Sequence, residues 1–356
     1  MNKILISFVA ALVATASFAQ STLVATLTHE SGITTYYGTT ALQAAHKAAV
    51  SGDVINLSGG TFQGLNITKA VTIRGNGIDH AYPTIISTYP SNGRDYGTTV
   101  NIPSDDSNKF SVEGVRFTCT LSVTGTFSNP SFIKCLFEKQ ISFDGSSTIT
   151  NALFANCKTA DMTYGCSLQS GSNSSVQFVN CVISGFCNYA SATSSASLIN
   201  CILKYTGNNL NSCCNSQLIN CIVCYYNNSG NIVSANAFPT TSRGFNCLTV
   251  NYSAPFANSQ GAFVDCTSLT SSAYATVFKN YTGAYSVTYP DIQTFELTDE
   301  AKTTYLGADG TQVGLYGGLQ PYTSTPSYPT INTMKVSKKT TADGKLSVDI
   351  EVKAAE

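Results

Sequence analysis

Residues 76–111 hold the side chains that could carry acid–base chemistry in this chain. The set is Asp79, His80, Arg94, Asp95, Asp105 and Asp106. His80, Arg94 and Asp95 are the candidate catalytic residues, because histidine and aspartate can take up or release protons and Arg94 adds a basic group beside Asp95. The stretch is predicted to be a long insertion, and long excursions often carry binding or catalysis. A solvated loop with ordinary polar residues is the alternative interpretation.

Asp105 and Asp106 are the candidate metal ligands. Carboxylate oxygens suit calcium, but two adjacent carboxylates fall short of the roughly six to eight oxygen atoms that a calcium ion needs. The sequence therefore predicts no metal and no other cofactor.

A repeat between residues 134 and 266 predicts the elements that position these side chains. Seven times a polar residue, usually asparagine, directly precedes a cysteine. The pairs are Lys134-Cys135, Asn156-Cys157, Asn180-Cys181, Asn200-Cys201, Asn220-Cys221, Asn246-Cys247 and Asp265-Cys266. Successive cysteines lie 22, 24, 20, 20, 26 and 19 residues apart. Such a period is typical of a stacked-coil solenoid.

One residue in each coil must break the alternation of the strand. An apolar residue usually stands three places before the cysteine, and plain alternation would put the two on opposite faces. Asparagine tolerates the left-handed backbone region well, so we place a kink at the polar column. The cysteines and apolar residues then share the interior. Gly114, twenty residues before Lys134, stands at the kink position of one further coil. The asparagine amides are expected to make local hydrogen bonds.

The chain resembles secreted right-handed parallel β-helix proteins of the pectate-lyase-like superfamily, in the form common among Bacteroidetes. The resemblance rests on residues 40–50 followed by 51–57, on residues 71–75, and on the C-terminal run 309–318. It covers roughly residues 35–320. It implies an all-β fold: a right-handed parallel β-helix with an N-terminal capping helix and a C-terminal β-hairpin segment. The superfamily includes lyases, hydrolases, adhesins and proteins without known activity, so fold alone does not give function.

Four segments are predicted along the chain. Residues 1–19 form a signal peptide, with Lys3 before a short apolar core and a small-residue cleavage site before Gln20. Residues 20–319 form the β-helix, 320–333 a proline-rich linker, and 334–356 a β-hairpin. The protein is therefore expected to be secreted or held at the surface of a Gram-negative bacterium. No later segment is apolar enough to span a membrane.

The charge distribution favours a non-catalytic protein. Charged residues make up 11% of the chain and the net charge is −1, without basic clusters, so nucleic acid is excluded as a partner. In the pectate-lyase-like superfamily, which this chain resembles, the lyases need clustered carboxylates for calcium and a basic residue. The hydrolases need two or three aspartates on neighbouring coils. Neither pattern can be matched. A polysaccharide lyase, with calcium, or a glycoside hydrolase is the alternative, and a subunit of a larger surface assembly is a third.

Tyrosines that follow the seven cysteines of the repeat, here called the ladder cysteines, are the candidate glycan-binding residues. They are Tyr189, Tyr205, Tyr225, Tyr226 and Tyr252. An exposed aromatic strip would suit the apolar faces of sugar rings in a polysaccharide partner. Tyrosine is also a good strand residue, so packing between coils is the alternative.

Thirteen cysteines in an exported protein would ordinarily indicate disulfides. The ladder cysteines, however, are expected one strand spacing apart, about 4.8 Å, with parallel side-chain directions that fit disulfide torsions poorly. We therefore predict buried thiols that pack as small apolar groups. Cys166 and Cys187 remain a candidate disulfide. A zinc site at Cys213, Cys214, Cys221 and Cys224 is disfavoured, because the last two would face opposite sides of one strand.

Overall fold

The computed structural model describes most of the chain. The described residues are 23–79, 81–103, 110–159, 165–188, 193–206, 213–226, 238–250, 262–269, 274–280, 294–340, 344 and 346–353. No helix in these ranges is long and apolar enough to cross a bilayer.

The fold is a parallel β-solenoid of about eight turns, which confirms the predicted all-β class. Each coil contributes a strand to sheet A, then sheet B, then, over most of the length, sheet C. Sheet A contains Gly32–Tyr37, Val24–His29, Val54–Leu57, Thr72–Arg74, Ser111–Glu113, Ser131–Ile133, Ala152–Ala155, Ser175–Val179, Ser195–Ile199, Ser216–Ile219, Arg243–Phe245 and Ala262–Val264. Sheet B contains Gly60–Gln63, Thr84–Ser87, Val115–Phe117, Leu136–Phe137, Lys158–Thr159, Val182–Ser184, Ile202–Thr206, Ile222–Tyr226, Leu248–Val250 and Thr267–Ser268. Sheet C contains Asn66–Ile67, Thr98–Val100, Leu121–Val123, Ile141–Phe143, Cys166–Leu168 and Phe186–Asn188.

Sheets A and B meet at a corner formed by the polar column of the repeat. Its members have left-handed backbone torsions: φ is 68° at Gly114, 52° at Lys134 and 48–54° at the other members. Those are Asn156, Asn180, Asn200, Asn220, Asn246 and Asp265. A second such column lies just before the strands of sheet A begin, with positive φ at Asn129, Asn151 and Asn215. This second column was not predicted, because no recurring cysteine accompanies it.

Phenylalanine rings stack along the interior of the solenoid. Phe132, Phe154 and Phe178 occupy the same place in successive coils, with ring centroids 4.8 Å and 4.9 Å apart. All three are at most 1% exposed. Parallel strands in register put equivalent residues directly over one another, so a repeated aromatic becomes a continuous stack.

The corner interrupts the backbone hydrogen bonds between coils. The N–H of Asn156 donates to the Val179 carbonyl of the following coil at 3.0 Å, whereas the N–H of Lys158 donates to the Cys135 carbonyl of the preceding coil at 2.9 Å. The bonding direction therefore reverses across Cys157. Its own N–H needs a different partner, because buried backbone donors are rarely left unpaired.

The ladder thiols supply partners at this corner. The N–H of Cys157 donates to Cys181 Sγ at 3.3 Å, and Cys181 Sγ in turn lies 3.4 Å from the Phe154 carbonyl oxygen. All seven ladder cysteines are unbridged. Burial raises the pKa of the Cys157 and Cys201 thiols, so these remain protonated donors. Cysteine thus recurs here because it is small and can both donate and accept.

Cys221 lies just before the sheet B strand Ile222–Tyr226 and Cys224 lies within it, and the two side chains pack on opposite faces of the sheet. Cys221 packs in the solenoid interior, while Cys224 packs in an apolar cluster outside it. Cys166 is in register with Phe186, which places Cys187 beside Ser167 instead. The backbone register therefore does not place Cys166 opposite Cys187.

The N-terminal end of the solenoid is closed by helix α1, Ala41–Ala48, and by the antiparallel strands β1, Val24–His29, and β2, Gly32–Tyr37. The predicted capping helix is confirmed, whereas the β1–β2 hairpin was not predicted. Strand β1 pairs antiparallel with Val54–Leu57, the first solenoid strand of sheet A.

Two side chains hold the C-terminal end of α1. Lys69 Nζ donates to the carbonyl oxygens of His46, Lys47 and Ala49 at 3.0, 2.8 and 2.6 Å, where a cation is favoured by the helix dipole. His46 Nε2 accepts the N–H of Thr68 at 3.3 Å. Burial, with a smaller effect from the Lys69 charge, lowers the pKa of His46 to about 4.

A C-terminal cover lies on the outer face of sheet B. It comprises residues 274–280 and 294–316 and includes helices α2, Tyr274–Val277, and α3, Asp299–Thr304. Together, its apolar residues and the outward residues of sheet B form a second buried cluster. The cluster includes Val182, Ile202, Ile222 and Leu248 of the sheet and Val277, Phe278, Phe295, Leu297 and Leu315 of the cover.

The chain then runs along the asparagine corner. Residues 307–328 are called the C-terminal strap, and their first part, 307–316, is also part of the cover. Asn180 Nδ2 donates to the carbonyl oxygens of Leu315 and Gly317, both at 2.8 Å. Asn156 Oδ1 accepts the N–H of Thr323 at 2.8 Å. These amides therefore bond to residues more than 130 positions away, and the expectation of purely local hydrogen bonds is wrong.

The last part of the strap reaches the early coils. Glu113 Oε1 accepts the N–H of Ser327 at 2.7 Å, and Tyr328 Oη donates to the Gly75 carbonyl oxygen at 2.6 Å. The Arg74 guanidinium lies over the Tyr328 ring at 5.4 Å. Residues 320–328 of the predicted linker are thus anchored to the solenoid. The predicted hairpin follows as antiparallel strands Thr330–Thr340 and Leu346–Lys353.

The predicted insertion at residues 76–111 is wrong over part of its length. Thr84–Ser87 is a regular strand of sheet B and Thr98–Val100 a regular strand of sheet C. No asparagine–cysteine pair marks this coil, so the repeat was not recognised. An antiparallel hairpin, Tyr89–Ser91 with Arg94–Tyr96, joins the two strands.

Candidate functional site

The outer face of sheet A carries two parallel rows of side chains. The polar row is formed by the residue four places before four of the seven ladder cysteines: Gln177, Ser197, Gln217 and Arg243 are paired in register across four strands. The apolar row, two places before each cysteine, contains Val179, Ile199, Ile219 and Phe245 in the same strands. Both rows face outward, because residues two apart in a strand share a face.

A groove of about 670 Å³ follows the polar row. It is lined by Asn151, Ser175, Val176, Gln177, Ser195, Ala196, Ser197, Asn215, Ser216, Gln217, Thr241 and Arg243. Among these described residues, Arg243 carries the single charge, and the other polar groups are amides and hydroxyls. The site is therefore rich in neutral donors and acceptors.

Backbone torsions and hydroxyl groups shape the wall of the groove. The left-handed residues Asn151 and Asn215 turn the chain into sheet A. Their N–H groups donate to Ser175 Oγ at 2.8 Å and to Thr241 Oγ1 at 2.9 Å. These bonds fix the turns, while the side chains of Gln177, Gln217 and Arg243 remain exposed.

The apolar row lies on the same outer face, two residues along each strand from the polar row. Val179, Ile199, Ile219 and Phe245 are half-buried, in contrast to the fully covered outward residues of sheet B. A ligand that extends from the groove across this face can therefore meet hydrogen-bonding groups first and then an aliphatic and aromatic strip. This combination is typical of small-molecule and saccharide sites, in which few polar groups orient a partly apolar ligand.

The predicted catalytic residues lie elsewhere. Arg94 and Asp95 are exposed on the hairpin between sheets B and C, where Asp95 pairs with Pro90 and Arg94 with Ser91. His80 lies outside the described residues. Arg94 and Asp95 are consecutive in the chain, and neither of them lines the groove of sheet A.

Asp105 and Asp106 also lie outside the described residues. Within the described ranges, no group of three or more His, Cys, Asp and Glu residues is arranged to hold a metal ion. The carboxylate of Glu138, in the middle of the solenoid, forms an ion pair with Arg116.

Part of the predicted tyrosine strip can be placed by its backbone. Tyr205 and Tyr225 are in register in sheet B, and Tyr226 is opposite Thr206. Their neighbours Lys204 and Cys224 are buried, at 3% and 0% exposure. Tyr189 and Tyr252 lie outside the described residues.

The polar row was missed by the sequence analysis, although its signal is in the repeat. The predicted columns were those that face inward, and the residue four places before each cysteine faces outward. Gln177, Ser197, Gln217 and Arg243 at that position contrast with Phe178, Leu198 and Leu218, which stand one place further on in three of these strands. Such a column predicts an outward polar row.

Comparisons with known proteins do not extend this description. No protein-family model matches the chain, and no curated protein is significantly similar to it.

Proposed function

We propose that this is an exported, non-catalytic β-helix protein that binds a polysaccharide along the outer face of sheet A. The observation that carries the proposal is the in-register polar row Gln177, Ser197, Gln217 and Arg243 beside the half-buried apolar row.

A linear saccharide fits the repeated character of the groove. Amide and hydroxyl groups exchange hydrogen bonds with sugar hydroxyls, and Phe245 with its aliphatic neighbours can contact the apolar faces of sugar rings. Successive strands repeat these groups at about 4.8 Å. A polymer of repeating units can therefore meet similar partners on each coil. Arg243 at one end favours a glycan that carries carboxylate or sulfate groups.

Export and lineage rest on the sequence. The segment 1–19 has the composition of a signal peptide, and the resemblance to the pectate-lyase-like superfamily of Bacteroidetes type covers the solenoid. The parallel β-solenoid is compatible with that superfamily. A secreted or surface-held protein would meet polysaccharide directly.

The tyrosine strip stays a prediction as a second glycan surface. Tyr205 and Tyr225 are adjacent in register, which is the arrangement that stacking on successive sugars requires. Loss of retention in Tyr205→Ala/Tyr225→Ala, with the groove intact, would assign glycan contact to this strip.

The test is a panel of neutral and acidic polysaccharides examined by two readouts. Retention on immobilised glycan reports binding, and absorbance of unsaturated products, with calcium present, reports lyase activity. We expect retention without product. The variant Gln177→Ala/Gln217→Ala should weaken retention at least about tenfold, because two exposed hydrogen-bonding groups are lost. Gln320→Ala, an exposed glutamine in the strap, is the matched control.

Two results would contradict the proposal. One is retention that is equal in the wild-type protein and the double glutamine variant. The other is product formation that disappears in Arg94→Ala or Asp95→Ala, which would establish the lyase alternative at the hairpin instead.

A further inference from the structure

Strand β2 forms an open edge of sheet A at the N-terminal end of the molecule. In the described residues it pairs with β1 on one side and is the terminal strand of the sheet. Five of its six residues are exposed. Ile33 and Tyr37 are 70% and 65% exposed, which is high for large apolar side chains. An open strand with such side chains is a template for pairing with another strand.

The register of the β1–β2 hairpin identifies the open backbone groups. His29 pairs with Gly32 across the two-residue turn Glu30-Ser31. In a hairpin of this kind that first pair is hydrogen-bonded, and the pairs then alternate. The N–H and C=O groups of Ile33, Thr35 and Tyr37 therefore point away from β1, toward the open edge.

These three residues are complementary to themselves. If two copies of β2 pair antiparallel about a two-fold axis at Thr35, Ile33 of each copy lies opposite Tyr37 of the other. All three residues then exchange backbone hydrogen bonds with the second strand. The two most exposed apolar side chains of the strand also become cross-strand neighbours, an arrangement that stabilises antiparallel pairs.

Charge and length favour a second copy as the occupant. Residues 32–40 contain no charged side chain, so two copies meet without like-charge repulsion. The strand at the opposite end of sheet A, Ala262–Val264, has three residues and is followed by Asp265, which makes it a poorer match for β2. A two-fold contact also closes on itself and does not propagate into a filament.

We propose that the protein forms a two-fold homodimer through β2, which joins two copies of sheet A into one continuous sheet. Antiparallel strands related by this axis keep their outer faces on the same side. The two grooves therefore face the same way. If the proposed function holds, a polysaccharide surface engages both copies at once, and the dimer gains avidity.

The test is sedimentation velocity of the purified protein over a concentration series, without glycan. We expect a monomer–dimer equilibrium in the wild-type protein. Thr35→Pro should abolish the dimer, since proline removes an N–H that faces the edge and is tolerated at edge positions. Thr35→Val keeps the N–H and the β-branched shape, and it should dimerise as the wild type does.

Circular dichroism and thermal melting of both variants check that the hairpin remains folded. If Thr35→Pro does unfold the hairpin, Ile33→Lys/Tyr37→Lys serves in its place, because it leaves the backbone intact and sets four charges across the axis. A wild-type protein that stays monomeric at its highest soluble concentration would overturn the proposal. So would a dimer that persists in folded Thr35→Pro or in the double lysine variant.

Glycan retention separates this inference from the proposed function. The monomeric variant should bind a short soluble oligosaccharide as the wild type does but be retained less on an immobilised polymer. A dimer that binds no glycan would refute the proposed function and leave the β2 contact in place.

Discussion

Sheets A and B are built from the same coils, yet their outer faces differ in what covers them. Ile199 and Ile202 illustrate this: both point outward, three residues apart, on either side of one corner. Ile199 on sheet A is half-buried, whereas Ile202 on sheet B is 0% exposed beneath the C-terminal cover. The repeat itself therefore does not decide which face is open. The cover and strap do, and they leave sheet A for a ligand.

The largest expected effect comes from placing a charge under the cover. Ile202→Asp should lower the free energy of unfolding by at least about 4 kcal/mol, because an unpaired carboxylate would be buried. Ile199→Asp, the matched change on sheet A, should cost about 1 to 2 kcal/mol, because Ile199 is only half-buried. Denaturant unfolding of the two variants measures the difference. Equal losses would show that the two faces are not covered differently.

The next effect concerns the strap that borders sheet B. Asn180→Asp replaces the amide that donates to two strap carbonyls with a carboxylate that faces them. We expect a loss of about 3 kcal/mol and faster proteolysis within residues 315–328. Asn129→Asp is the control, since Asn129 has the same left-handed backbone but is exposed. Unchanged proteolysis in Asn180→Asp would mean that its amide does not anchor the strap.

The third effect is a pH-dependent loss of stability at the N-terminal cap, where His46 is buried. The pKa of folded His46 is about 4, below the ordinary value of 6.5, so the unfolded chain takes up its proton first as the pH falls. Stability that is present above pH 6.5 is therefore lost on the way to pH 4, by roughly 2 to 3 kcal/mol at pH 4.5. The variant His46→Gln, whose side chain can still accept the Thr68 N–H, should lack this loss. An identical pH profile in that variant would exclude His46 as the cause.

The smallest effect on stability is expected inside the groove. Ser197→Trp adds an indole at the middle of the polar row, where the side chain has room, so the free energy of unfolding should change by no more than about 0.5 kcal/mol. Glycan retention should nevertheless be lost, because the groove is filled. Ser131→Trp changes the same column several coils away and should retain binding. A destabilised Ser197→Trp would show that the face is less open than described.

The interior of the fold could be predicted because it repeats. Asn156, Asn180 and Asn200 tolerate the left-handed corner, and each cysteine follows at a fixed position, so the kink, the buried column and the solenoid follow from local rules. The first coils were harder. Thr84–Ser87 lacks the asparagine–cysteine mark, so a regular coil was mistaken for an insertion.

The cover, the strap and the groove could be predicted only in part. Ile202 and Leu203 are adjacent and both apolar, which indicates a strand that is buried on both faces and therefore predicts that something covers sheet B. What covers it has no periodic signal, because Asn180 and Leu315 are 135 residues apart. The groove needs both facts: the polar row is visible in the sequence, but its openness depends on where the C-terminal segment lies.

Chemical footprinting of the protein with and without its best-retained glycan tests the account most directly. We expect protection at residues 175–177, 195–197, 215–217 and 241–243, with none at the hairpin that carries Arg94 and Asp95. Protection confined to that hairpin, or to Tyr205 and Tyr225 on sheet B, would contradict the assignment of the outer face of sheet A as the binding surface.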